Sequence, residues 1–129
     1  KLYNWFAVND PRGLAPEGFH IPSDGEWTTL TDYLGGKRIA GSQLMETGIT
    51  HWERNPFATN SSGFTGLPGG HRIPNDTHFS YIGTVGFWWS SSEVNTQDAW
   101  HRILYHGNGN VYRYVDFKKN GSSVRCLRD

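Results

Sequence analysis

The period of the apolar positions changes along the chain, and each change marks an element. Trp27, Leu30 and Leu34 recur at the spacing of one helical face. Pro22-Ser23-Asp24 with Glu26 forms a helix-start signature ahead of them and Gly35-Gly36 follows, so the spacing predicts a helix over 24–34. A second, shorter helix is predicted from Ile39 to about Glu46, with Leu44 and Met45 as core candidates and Gly48 as its stop. The N-terminal segment that carries Trp5 reads as extended. Between Thr47 and Thr84 the periodicity is lost, and Gly, Pro, Asn and Ser punctuate the chain, as in Asn60-Ser61-Ser62-Gly63, Leu67-Pro68-Gly69-Gly70 and Pro74-Asn75-Asp76. Trp52, Phe57, Phe64, Leu67, Ile73 and Phe79 give this long ordered loop apolar anchors with which to pack on the core.

After Gly86, β-branched and aromatic residues separated by turn chemistry predict strands over 87–92, 99–105, 111–117 and 123–127. The Asn-Gly pair within His106-Gly107-Asn108-Gly109-Asn110 suits the positive φ angles of a tight hairpin, so strands 99–105 and 111–117 are expected to pair antiparallel. Alternation then sorts their side chains. Trp100, Arg102, Leu104, Val111 and Arg113 form the inward set, in which Arg102 needs a carboxylate or carbonyls for its donors. His101, Ile103, Tyr105, Tyr112 and Tyr114 form the outward set, an aromatic patch suited to recognition unless the 47–84 loop covers it.

Composition narrows the class. The 129 residues fit one domain, 1–129, with 12 basic side chains balancing 12 acidic ones. That balance removes the electrostatic footprint of nucleic-acid or anionic-membrane binding, so the partners expected are a protein or cell-surface ligand, with a glycan as the alternative. The aromatic share of 15%, with 16 Gly and one Met, describes a loop-rich fold rather than a helical bundle. A lone cysteine, Cys126, forms no internal disulfide and reads as a buried, inert thiol in a strand. The chain has no initiator Met, no apolar run of membrane-spanning length and no signal-peptide pattern, and reads as an excised domain that does not itself insert in a membrane.

Several phrases together resemble the Fibrobacter succinogenes major paralogous domain: Tyr3-Asn4-Trp5-Phe6-Ala7-Val8-Asn9, Gly18-Phe19-His20-Ile21-Pro22-Ser23-Asp24, Glu26-Trp27-Thr28-Thr29-Leu30, Ser62-Gly63-Phe64, Leu67-Pro68-Gly69-Gly70, Trp88-Trp89-Ser90-Ser91 and Ser123-Val124-Arg125-Cys126. They span nearly the whole chain in order. Ser122 departs from the pattern, which usually has Phe there. The resemblance implies an α+β, C-type lectin-like fold with two helices, a long irregular loop region and a C-terminal antiparallel sheet, related to the formylglycine-generating enzyme and to the variable proteins of diversity-generating retroelements. It implies an extracellular or cell-surface setting, on bacterial lipoproteins, secreted proteins or phage. It also implies a variable, ligand-binding surface over about 93–120.

Sharper chemistries find little in the residues. The cysteine chemistry of the related enzyme uses a pair and this chain has one cysteine, and no nucleophile-elbow motif occurs, so no enzymatic activity and no catalytic residue are expected. The six histidines lack ligand spacing, so no metal site is expected. Asn75-Asp76 and Asn95 to Asp98 offer oxygen ligands for a structural calcium, but such clusters are more often turn formers, and no cofactor is expected. One of Trp88 and Trp89 should point outward from its strand as a stacking surface. The function expected is ligand recognition on a variable aromatic face, with a carbohydrate-binding module of a cell-surface lipoprotein as the alternative. The candidate ligand-binding residues are Asn95, Gln97, His101, Ile103 and Tyr105, followed by His106, Tyr112, Tyr114, Asp116 and Phe117.

Overall fold

A computed structural model describes residues 1–76 and 78–129; Thr77, in the long loop, lies outside the described residues. The elements run α1 (Trp5–Val8), β1 (Phe19–His20), α2 (Asp24–Tyr33), α3 (Ala40–Leu44), β2 (Val85–Glu93), β3 (Asp98–Tyr105), β4 (Val111–Phe117) and β5 (Leu127–Arg128). The architecture is a small mixed α+β domain with antiparallel sheets. Helix α2 starts where the capping signature places it: Ser23 Oγ accepts from the Glu26 amide and Glu26 returns a bond to the Ser23 amide. It ends at Leu34 before Gly35 and Gly36, both in the left-handed region at φ +91° and +95°.

The central sheet has the order β2-β3-β4 and is antiparallel throughout. The β3–β4 register pairs His101 with Tyr114, Ile103 with Tyr112, Arg102 with Arg113 and Leu104 with Val111, as alternation demands. The turn between them differs from the one expected. Neither Asn108 nor Gly109 takes a positive φ. The glycine is needed for proximity instead: a Cβ on Gly109 would sit 2.1 Å from Ser42 Oγ, and one on Gly41 would sit 2.3 Å from the Asn110 carbonyl, so turn and α3 touch backbone to backbone.

Both faces of the sheet are covered. One face, through Trp88, Leu104 and Val111, packs on Trp27, Leu34, Leu44, Met45 and Trp52 from α2, α3 and the long loop. The other, through Trp89 and Ala99, packs on Trp5, Val8 and Ile21. Each of four buried indoles gives its N–H to a distant carbonyl: Trp5 to Ser90, Trp27 to Trp89, Trp52 to Gly66 and Trp89 to Tyr3. Large rigid rings that end in a donor thus fasten irregular segments to the sheet without repeating backbone structure.

Several expectations are corrected. The segment holding Trp5 is a helical turn, capped by the Asn4 side chain on the Ala7 amide, rather than a strand. Helix α3 stops at Leu44 because Met45 turns extended to bridge Gly66. The strand expected over 123–127 shrinks to Leu127–Arg128, paired with β1, with isolated bridges at Gly121, Ser122 and Ser123. Trp88 and Trp89 are both buried, because β2 is sandwiched between the two clusters. Of the loop anchors, Trp52 is core and Phe64 is half-buried, whereas Phe57, Leu67, Ile73 and Phe79 are exposed. Ser122, at the position where Phe was the usual residue, is fully buried against the Tyr3 bridge with its hydroxyl unpartnered.

Arg102 finds the carboxylate its burial requires. Its guanidinium donates to Asp24 Oδ1 at 2.7 Å, to the Asp24 carbonyl at 3.0 Å and to Thr28 Oγ1 at 3.1 Å. Arg113, expected inward, lies on the same face but at the sheet's edge, with 46% of its side chain exposed. It closes on Asp24 Oδ2 at 2.8 Å and stacks over Trp100 at 3.4 Å. Burial pushes the Asp24 carboxyl up, and the hydrogen bonds from Arg113 and Arg102 outweigh it and hold the group below the usual carboxylate range.

Loss of the shared carboxylate and loss of the edge arginine should therefore cost different amounts. Asp24→Ala leaves the buried Arg102 charge unpaired and should destabilise the fold by about 3–5 kcal/mol. Arg113→Ala, at an exposed position, should cost about 1 kcal/mol or less. Urea denaturation of the two variants checks the order, and equal losses contradict it.

Candidate functional site

The residues expected to form one patch separate into three groups. At one end of the sheet Asn95, Gln97 and Phe117 are exposed. Asn95 organises the β2–β3 turn by accepting from the amides of Gln97 and Asp98 and donating to the Asp98 carboxylate. Phe117, 61% exposed, joins Phe6, Thr96, Gln97 and Lys119 around a hollow of about 270 Å³. Lys118 is buried beside it, bonded to Glu93 and the Asn95 carbonyl and lying 4.4 Å from the Trp5 ring, and so anchors the turn.

The second group lies along β4. No backbone hydrogen bond joins 112–116 to any segment other than β3 among the described residues, so β4 is a free edge. At an edge both alternation faces are reachable, and Tyr112, Arg113 and Tyr114 line a single hollow of about 460 Å³ whose opposite wall is Thr28, Thr31 and Asp32 of α2. Tyr112 and Tyr114 stack with ring centroids 6.2 Å apart and an interplanar angle of 13°. The Tyr112 hydroxyl is held by Asn108 and Asn110 of the hairpin turn, while Tyr114 stays 55% exposed. The third group, Tyr105 and His106, packs edge to face at 4.7 Å at the far end of the hairpin, with Tyr105 exposed and His106 half-buried.

The centre of the expected patch is closed. His101 is 3% exposed and packs against Phe87 and Trp89, with ring centroids at 5.8 and 5.7 Å. His71, brought by the long loop, donates from Nε2 to Asp116 Oδ2 over 2.8 Å, and Asn120 donates to the other Asp116 oxygen at 2.7 Å. Asp116 and Ile103 are therefore half-buried rather than surface contacts. The covering of this face by the long loop, weighed in the sequence as the competing reading, is what happens over its centre. Single-strand alternation gives direction but not cover, and His71 lies 45 residues from Asp116, with no local signal linking them.

Burial pushes the His101 imidazole down to about 4, more strongly than Asp116 lifts it. Its Nδ1 is unpartnered, 3.9 Å from Asp116 Oδ2 and beyond hydrogen-bond reach. Among the described residues no group of three or more His, Cys, Asp or Glu is placed to hold a metal ion, and no helix is long and apolar enough to cross a membrane. Cys126 departs from expectation: it is half-buried, outside any strand, and lines a cavity between α2 and the chain's C-terminal segment. Only the folded chain brings that cavity's walls together, from segments separated in sequence.

A family model, the Fibrobacter succinogenes major domain, matches residues 1–128, and the chain belongs to that family. Neither the curated proteins nor the solved structures gave a match.

The closed centre sets the acid stability. The unfolded chain protonates His101 below its ordinary 6.5, whereas the folded chain does not until about 4, so stability should fall as pH drops through that window by on the order of 3 kcal/mol. His20 acts the other way, since its hydrogen bonds to Asp129 and Glu26 raise its pKa, but its gain is complete by pH 6.5 and leaves the window clear. Urea midpoints between pH 6.5 and 4.5 should decline in the native protein and flatten in His101→Gln. A slope unchanged by that substitution contradicts the assignment.

Proposed function

We propose that this domain recognises a protein or cell-surface ligand through the free edge of its sheet, on a C-type lectin-like scaffold of the variable-protein kind. The observation that carries the reading is the stacked Tyr112–Tyr114 pair on an unpaired edge strand, facing α2 across a hollow. An exposed edge with apolar side chains invites pairing and aggregation unless it serves contact. Here Tyr114, Val115 and Phe117 are all exposed on it. Tyrosines give large contact area at low entropy cost, and Arg113, Lys37 and Asp32 around the same hollow add a polar margin.

The contact surface is narrower than the whole 93–120 stretch. It comprises Asn95, Gln97, Tyr112, Arg113, Tyr114 and Phe117, with Tyr105 and His106 at its far end. His101, Ile103 and Asp116 support it from beneath. The paired chain ends, the two short flanking helices and the long loop laid over the sheet support the lectin-like assignment. The buried frame of tryptophans and the Asp24–Arg102 pair lets the edge side chains differ while the core stays the same.

Fluorescently labelled domain applied to intact bacterial and host cells, read by flow cytometry, provides the test. Binding should fall at least about tenfold in Tyr114→Ala/Phe117→Ala, with the denaturation midpoint held. Equal binding by that variant, or a large loss of stability, sinks the reading. A glycan array whose specific hits vanish with chelator would replace it with a calcium-dependent carbohydrate module. A reverse-transcriptase gene beside this one, with a near-copy of the segment encoding 93–120, tests the diversification part separately.

A further inference from the structure

A second site lies apart from the sheet edge, in a cavity of about 330 Å³ enclosed by α2, α3, the Ser62-Gly63-Phe64 turn and the segment Arg125 to Leu127. Its volume falls within the range of small-molecule pockets. The floor is apolar and preformed. Trp27 and Leu44 are buried core residues, and Phe64 is fixed by ring contacts to Trp27 at 5.8 Å and Trp88 at 5.9 Å. Leu30 and Cys126 complete the wall.

Two charged side chains line this cavity, Glu26 and Arg125. Glu26 is already engaged: it accepts from the Ser23 amide and hydroxyl and pairs with His20 at 2.9 Å. Arg125 has no hydrogen-bond or carboxylate partner among the described residues and lies over the Phe64 ring at 4.6 Å. Stacking uses the face of a guanidinium and leaves its N–H edge open, and that edge matches a carboxylate with two parallel bonds. The cavity thus offers a half-open apolar slot with an exposed guanidinium at its rim, able to donate two parallel bonds.

We propose that this cavity binds a small organic carboxylate with an apolar or aromatic body, the body lying on Trp27, Leu30, Leu44 and Phe64 and the carboxylate taken by Arg125. A neutral sugar fits less well, since the walls are mostly apolar and present few polar groups to its hydroxyls. An anion without an apolar body would leave the floor dry and unfilled. Cys126 plays no chemical part. Its position makes it a reporter, because the chain has one cysteine.

The probe pair is 3-phenylpropionate and its neutral amide, which share a body and differ in charge. Chemical shifts of the Phe64 and Arg125 amides and protection of Cys126 from N-ethylmaleimide are followed as each is titrated. The acid should shift these amides, slow alkylation, and act at a concentration at least about tenfold lower than the amide. Arg125→Gln should abolish that preference while the protein keeps its thermal midpoint, as an exposed position without a partner allows. Absence of shifts and protection up to about 20 mM acid, equal action of acid and amide on the native protein, or a preference that survives Arg125→Gln would each overturn the proposal.

Discussion

The carboxylate of Asp24 is the point at which helix and sheet become one body. It sits at the first turn of α2, where the N-terminal amides already favour a negative charge, and it faces Arg102 at the centre of β3 and Arg113 on β4. An arginine buried in the middle strand is tolerable when its donors meet oxygens that stay in place. The capping box supplies that rigidity: Ser23 and Glu26 fix the turn from which Asp24 projects, and the Asp24 carbonyl and Thr28 hydroxyl accept from Arg102 Nη2. The angle between α2 and the sheet follows from this geometry. So does the hollow between α2 and β4, since the same two elements form its walls.

The parts of this arrangement that could be read in the chain are those governed by local rules. Capping, helical spacing and the Gly35-Gly36 stop placed α2 to within a residue, the turn chemistry gave the antiparallel β3–β4 pairing, and alternation gave the need of Arg102 for a carboxylate or carbonyls. What could not be read depends on contacts across long separations. Nothing near His101 signals that His71 and Trp89 will close over it, and an exposed or buried imidazole looks the same in an alternating strand. Pairing of adjacent tryptophans misled for the same reason, since a strand with cover on both faces buries both. Gly109 matters to the turn through the approach of α3 rather than through φ.

The aromatic residues divide by role. Rings that carry a donor and are enclosed hold irregular backbone in place, while Tyr114 and Phe117 of β4 remain outside. A frame of this kind leaves stability largely independent of the edge side chains. Substitutions at the edge act on stacking and contact area, and those in the frame act on the fold.

Many of the closures that finish the structure join its two ends. Trp5 reaches Ser90, Trp89 reaches Tyr3, Tyr3 bridges Ser122, and β1 is completed only by β5. A chain emerging vectorially from a ribosome or a translocation pore would hold α2 early and the β2-β3-β4 sheet late, with the last partner strand supplied by Leu127–Arg128. Loop-closure entropy must be met across almost the whole length before these contacts return anything, which places the domain among slow folders for its size. Until Leu127 and Arg128 are in place, Phe19 and His20 stand as an unpaired edge, so pairing of β5 is the closure that completes this small sheet.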